Sequence, residues 1–460
     1  MQTVESIVET SDSRLTKGIN YLLLLKVLFA MVLIVGGVVF RPLMYVASIF
    51  VVLIVFFSQT EEEIFSIAFA LLSLSPIFKF SPNSSSVFTY LEIVIIFKLI
   101  IRNRKIETKF LVGVVLFIIY VLAGSNFDIS STVKTIMMPI IMYLICRDMN
   151  YKKLTIVSGY YIGGVIIGSV LGVCRAWIPN LNSFISYKSV HLSLVNGKGF
   201  ESALRFSGLW GDPNYYSIHL LLVMTICIIL YFRKQIAHSF FIVLYGLSVV
   251  FGSMTGSKSY FLMAAILTVI FLFSLIYFRQ TSMFIGILIL LSVVLLLLIT
   301  GKIDLFSTVL TRLNNVNSGF SKSGLTTGRI ELLQYYMNLF AEKPLKFLIG
   351  NGVAVGHSYR HPHNTLIDYL DVLGLFGTIL SGYVFVIVYK DTPKIGKGNI
   401  LIALVIPMFF FLSMFYSIDF CFEVALIICF FKQGIIEHND DNKNVVPEEN
   451  VSINAEMQRK

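Results

Sequence analysis

The feature that most limits what this chain can fold into is a recurrence of apolar runs close to the ~20 residues that cross a bilayer as a helix. They follow one another from "YLLLLKVLFAMVLIVGGVVF" near the start to "ALIICFF" near the end, separated by short basic connections and two long polar loops. Hydrophobic residues reach 56% and charged residues only 13%, against roughly half and a quarter in an ordinary soluble domain. The chain therefore reads as an all-α polytopic membrane protein of about 12–14 transmembrane helices.

About fourteen spans fit the pattern. Seven cover approximately 20–39, 43–58, 64–79, 86–101, 110–124, 132–146 and 154–174. Seven more cover approximately 214–232, 239–254, 260–278, 283–300, 365–389, 399–416 and 419–432. Residues 1–432 then form one integral membrane domain. The polar stretch 433–460 reads as a disordered cytoplasmic tail. Glycines at 164, 168 and 172 recur at the spacing that lets two membrane helices approach closely. Neither an internal repeat nor a cleavable signal peptide is visible.

Basic residues cluster in four short connections: Arg102 to Lys109, Arg147 to Lys153, Arg233 with Lys234, and Lys390 to Lys397. Even numbers of spans separate them, so all four belong on one side, which the positive-inside rule makes the cytoplasm. The long loops, about 175–213 and 301–364, then face outward. The formal charge of +10 needs no nucleic acid, because membrane boundaries or an anionic lipid-linked ligand account for it. The five cysteines sit in or beside apolar runs without CxxC spacing and suggest neither a disulfide framework nor a structural metal.

The chemistry-bearing residues concentrate in the outer loops. "ALRFSGLWGDPNYY" places Arg205 seven residues before Asp212. Asp212-Pro213 is a helix start signal, so Asp212 serves as a cap at least as readily as a catalytic acid. Arg205 is needed by no cap; its guanidinium suits phosphate, or it is an ordinary surface arginine. In "GSMTGSKSYF", Lys258 is either an interface anchor or a further cation facing the same anion. "TTGRIELLQYYMNLFAEKP" reads as a short amphipathic helix ending at Pro344, with Ile330, Leu333, Met337 and Phe340 on its apolar face. Arg329 falls in its first turn, where a bound anion would suit both the guanidinium and the free N–H groups. "GNG" (Gly350 to Gly352) reads as a turn.

His357, His361 and His363 follow as H-x3-H-x-H. They could hold a metal, or one could be a general base; His363 is the best placed, just before Asn364, the expected cap of the next span. Asp368 and Asp371 share one face of that span. A carboxylate at the depth of Asp371 needs either a structural partner or a wet, functional cavity.

At these residues the chain resembles the O-antigen polymerase and ligase superfamily of bacterial envelope glycan assembly. The resemblance rests on "RFSGLWGDPN", "GSKS", "TGRIELLQYY" with "GNG", and "HPHNTLIDYLDVLGLFG", in that order from Arg205 to Gly377. Lysine stands at 258 where the family turn usually carries arginine. The resemblance implies a type C glycosyltransferase architecture in the bacterial cytoplasmic membrane, with an extracytoplasmic active site and no metal or other cofactor. It implies an undecaprenyl-pyrophosphate-linked oligosaccharide as donor and another as acceptor. A flippase and a chain-length regulator would be neighbouring partners. Arg205, Lys258 and Arg329 would then hold the pyrophosphate, and His363 would take the acceptor proton, with Asp371 the next candidate. Chain growth on a lipid carrier is the expected activity. A ligase moving glycan to lipid A core, and a flippase or other transporter, are the rivals.

Overall fold

The computed structural model describes residues 20–102, 106–124, 129–185, 189–193, 200–204, 206–300, 329–353, 362, 364–394, 402, 406 and 419–433. Nearly all of the expected span 399–416, most of the loop 301–364 and nearly all of the tail 433–460 lie outside them. Among the described residues, five helices are long and apolar enough to cross a membrane: α1 (Tyr21–Val39), α7 (Tyr151–Val173, continued by a 3-10 turn to Ala176), α9 (Pro213–Phe232), α11 (Lys258–Tyr277) and α15 (Thr365–Asp391). Shorter apolar helices lie between them: α2 (Pro42–Phe57), α5 (Thr108–Ala123), α10 (His238–Met254) and α12 (Thr281–Thr300). The chain is a polytopic helical membrane protein.

The other helices among the described residues are α3 (Glu61–Leu71), α4 (Val87–Ile101), α6 (Ile129–Asp148), the one-turn α8 (Leu181–Phe184), α13 (Arg329–Glu342), α14 (Pro344–Ile349) and α16 (Asp419–Lys432). Two departures from the sequence reading stand out. The span expected at 64–79 is the short α3, which passes into a 3-10 turn at Leu72–Leu74 and stops. Within the first long loop, where the sequence reading placed no regular element, the one-turn α8 is followed by an antiparallel strand pair, β1 (Ser189–Ser193) with β2 (Phe200–Leu204), in the register Ser189 to Leu204.

Helix starts follow local side-chain chemistry. Thr60 caps α3 by accepting from Glu63 N (3.2 Å), while the Glu63 carboxylate reaches back past the cap to accept from Gln59 N (2.7 Å), a variant of the capping box. Asn20 and Asn150 cap α1 and α7 in the simpler way. α9 is apolar all round and accordingly central: almost every residue from Tyr216 to Tyr231 is buried. It packs on α7, α10 and α11, while α15 packs on α5 and α6, and α16 on α6 and α7. The glycine stripe of α7 does what its spacing indicates. Gly164 lies on the Ala70 carbonyl and Gly168 on Ser73, and a Cβ on Gly172 would stand 2.6 Å from Gly208 Cα.

The ends of the bundle differ. At one end the basic side chains tie helix termini together. Lys153 pairs with Glu61 (2.7 Å), and Arg102 donates to Ser58 O (3.3 Å). Arg233 donates to Gln433 O (2.9 Å) and lies over the Tyr151 ring (4.5 Å). Lys432 lies over Tyr389 (4.2 Å). These contacts join the starts of α3 and α7 to the ends of α2, α4, α9, α15 and α16. The described members of all four basic clusters thus share one end. The turns before α9 and α11, and the chain around Gly350, are at the other.

Candidate functional site

The loop end contains two assemblies. The first is the turn Phe206–Asp212 with the starts of α9 and α11. Phe206 is buried edge-on to Tyr216 (5.5 Å), whose hydroxyl donates to Ser169 Oγ (2.6 Å). Asp212 accepts from Asn214 N (2.8 Å) with Pro213 in the first helical position, so the expected cap of α9 is formed. Ser257 caps α11 and donates to Asn214 Oδ1 (3.2 Å). This bond joins the two sequence segments that carry Asp212 and Lys258. Lys258 is the half-buried first residue of α11.

The second assembly is α13, α14 and the first half of α15. Arg329 is the first residue of α13, as the sequence indicates, and α13 ends before Pro344. Its buried face is not the expected one. Tyr336, Leu339 and Phe340 pack with Ile367 of α15, while Ile330, Leu333 and Met337 are exposed. In a bilayer, lipid accepts the second apolar face that water would refuse.

α15 is broken at Gly374, where φ is 67° and ψ is −177°. A helix broken there frees the carbonyls of the preceding turn. The Gly-Asn-Gly turn captures them: Asn351 N donates to Asp371 O (2.8 Å) and Gly352 N to Val372 O (2.9 Å). The Tyr120 hydroxyl, from the end of α5, donates to Leu373 O (2.6 Å) and lies 3.1 Å from Ile349 O. Gly350 also has positive φ (76°), and a Cβ there would collide with the Val372 carbonyl. The turn is thus a backbone latch on a membrane helix. Asn364 caps α15 by accepting from Leu366 N (3.0 Å) and Ile367 N (3.2 Å).

Asp368 and Asp371 are fully buried. Asp371 accepts from the Asn351 amide (3.0 Å), so its side chain reinforces the latch. This contact gives its carboxylate a structural role within the described chain. Arg205, His363 and the other two histidines of the cluster lie outside the described residues, as does the side chain of Arg329. Among the described residues, no group of three or more His, Cys, Asp and Glu could hold a metal ion.

The sequence reading missed a third assembly, Tyr161, His219 and Glu423, buried together between α7, α9 and α16. A histidine and a glutamate inside apolar runs were the available signal. Compared with family models, with curated proteins and with solved structures, the chain gives no match in any of the three.

Proposed function

We propose that this protein is a membrane glycosyltransferase that polymerises lipid-linked oligosaccharide repeat units at the outer face of a bacterial cytoplasmic membrane. The glycan would be an O-antigen, a capsule or an exopolysaccharide. The observation that carries the reading concerns the two candidate cations whose backbone is described. Lys258 and Arg329 are each the first residue of a helix at the end opposite the basic clusters. A cation there is unfavourable next to the positive end of the helix dipole. An anion lying against free N–H groups and cation together removes the conflict. Arg205 directly precedes the turn that Ser257 ties to α11 through Asn214.

The reaction breaks the bond between the anomeric carbon of the donor glycan and the pyrophosphate oxygen. It forms a glycosidic bond to a hydroxyl of the acceptor unit, and undecaprenyl pyrophosphate leaves with the electron pair. Arg205, Arg329 and Lys258 stabilise the charge that develops on the leaving group. His363 takes the proton of the attacking hydroxyl. Asp371, whose carboxylate accepts from the Asn351 amide, is the next candidate for that role.

The test is reconstitution in liposomes with undecaprenyl-pyrophosphate-linked repeat units. A ladder of longer glycans on the same carrier, with free undecaprenyl pyrophosphate, is the expected product. It should persist in EDTA and vanish in His363→Gln. An active His363→Gln enzyme would remove the histidine from the proton transfer. Glycan delivered only to lipid A core would make the protein a ligase, and intact single units moved across the membrane would make it a transporter.

A further inference from the structure

We propose that Tyr161, His219 and Glu423 form an internal proton-binding site, set inside the helix bundle beneath the Phe206–Asp212 turn. The three residues come from α7, α9 and α16, and each is fully buried. His219 lies seven residues into α9 from its cap, about 10 Å below the start of the helix. One oxygen of the Glu423 carboxylate, Oε1, accepts from both the Tyr161 hydroxyl and His219 Nδ1. The Tyr161 oxygen lies 3.4 Å from the same ring nitrogen.

The carboxylate fixes the tautomer. An oxygen acceptor at Nδ1 requires the hydrogen there, so any second proton on the ring sits at Nε2. Nε2 is buried and has no hydrogen-bond partner among the described residues, and neither has Oε2 of Glu423. With a neutral ring, the cluster would carry one uncompensated negative charge in a low-dielectric interior, at an effective penalty of several kcal/mol. One added proton makes it neutral.

The cations of the three helices lie toward their ends. α7 carries Lys152 and Lys153 in its first turn and Arg175 in the 3-10 turn that continues it, α9 carries none, and α16 carries only Lys432 at its end. The ring itself lies between two aromatic faces, Trp210 at 4.1 Å and Phe420 at 5.8 Å. Such faces attract a cation.

The other titratable groups of the surrounding elements do not replace it. Tyr216 of α9 is committed to Ser169, and Tyr215 lies against Phe420. α16 also bears Cys421 and, one turn before Glu423, Asp419. α6 contributes Lys134, Arg147 at its far end and Cys146, whose thiol reaches Ala425 O (3.7 Å). α3 offers the apolar Phe69 (6.1 Å from Tyr161). α4 contributes the buried acid Glu92, one turn beyond Phe88, which touches Phe422 (5.6 Å). The turn contributes Asp212, already the cap of α9. Asp419, Glu92 and Asp212 are acids, and they add to the demand for a proton. Through Trp210, the charge of the site bears on the turn that leads into α9.

The proton site stands apart from the glycan reading and can be tested without substrate. The chain has two tryptophans, and Trp177 is 80% exposed, so Trp177→Phe leaves Trp210 as the only indole. Imidazolium quenches indole emission far more than neutral imidazole does. In the full-length protein in detergent, Trp210 emission should rise along a single titration as the pH is raised from about 4 to about 10. His219→Gln should abolish the titration. Glu423→Gln and Tyr161→Phe should displace its midpoint, Tyr161→Phe while keeping the ring and its packing. A flat curve in the parent overturns the proposal, as does an unchanged curve in His219→Gln. Should His219→Gln not fold, midpoints in Glu423→Gln and Tyr161→Phe identical to the parent's overturn it equally.

Discussion

The two ends of the bundle are held by different means. At the basic end, long side chains reach from one helix terminus to another: Lys153 to Glu61, Arg233 to Gln433 and Tyr151, Lys432 to Tyr389. At the loop end, the backbone does much of the holding. The Gly350–Gly352 turn pairs directly with the carbonyls freed at Gly374, and Gly172 lies against Gly208. Side-chain ties are separable and graded, since each can be lost alone. Backbone pairing admits no Cβ, and it places chain segments independently of what their side chains carry.

The most damaging way to break the comparison is a methyl group in the latch. Gly350→Ala and Gly374→Ala each force a side chain into positive φ, costing about 1–2 kcal/mol before any clash. Each also drives a Cβ into backbone that is itself hydrogen-bonded. Folded, monodisperse protein should be lost in both, as read by size exclusion and thermal unfolding in detergent. Gly382→Ala, on the same helix but with open space around it, should be neutral or slightly stabilising by about 0.4–1 kcal/mol.

Next in size come the loop-end cations. Arg205→Ala and Arg329→Ala should each lower the rate of glycan transfer ~100- to 1000-fold with an unchanged melting temperature, and lysine should rescue poorly. A variant that melts early but retains its rate per folded molecule would place that arginine with the ties of the other end.

The basic end should show the reverse. Arg233→Gln removes a charged hydrogen bond to Gln433 O and a cation over Tyr151. It should cost about 1.5–3 kcal/mol of stability while leaving transfer by folded molecules unchanged. Smallest of all is Lys153→Gln. Its pair with Glu61 is about a quarter exposed on both sides, so the loss should stay under about 1 kcal/mol and fade with added salt.

How far these features are legible in the sequence depends on how local they are. The caps Asp212 and Asn364, the α7 glycine stripe and the bounds of α13 can all be read from a few neighbouring residues. The buried face of α13 cannot. Ile330, Leu333 and Met337 have the same periodicity as a core stripe, but lipid and protein interior are equally apolar, so the pattern does not tell them apart. The latch also escapes a local reading. Gly374 looks like one more tolerated glycine in an apolar helix, and only its pairing with a turn some twenty residues earlier reveals the break. Glu423 meets Tyr161 and His219 across most of the chain, and no spacing rule links them. In each of these cases the missing information is which distant segment comes to lie alongside.

Both margins of the histidine-bearing excursion rest on the same half of α15. Gly352 pairs with Val372, and Asn364 caps the helix eight residues earlier, about 12 Å away along the axis. One anchor is a backbone hydrogen bond and the other a side-chain cap, and both belong to the same helix. Whatever lies between them enters and leaves at fixed points, and loops held in this way tolerate changes of length and sequence.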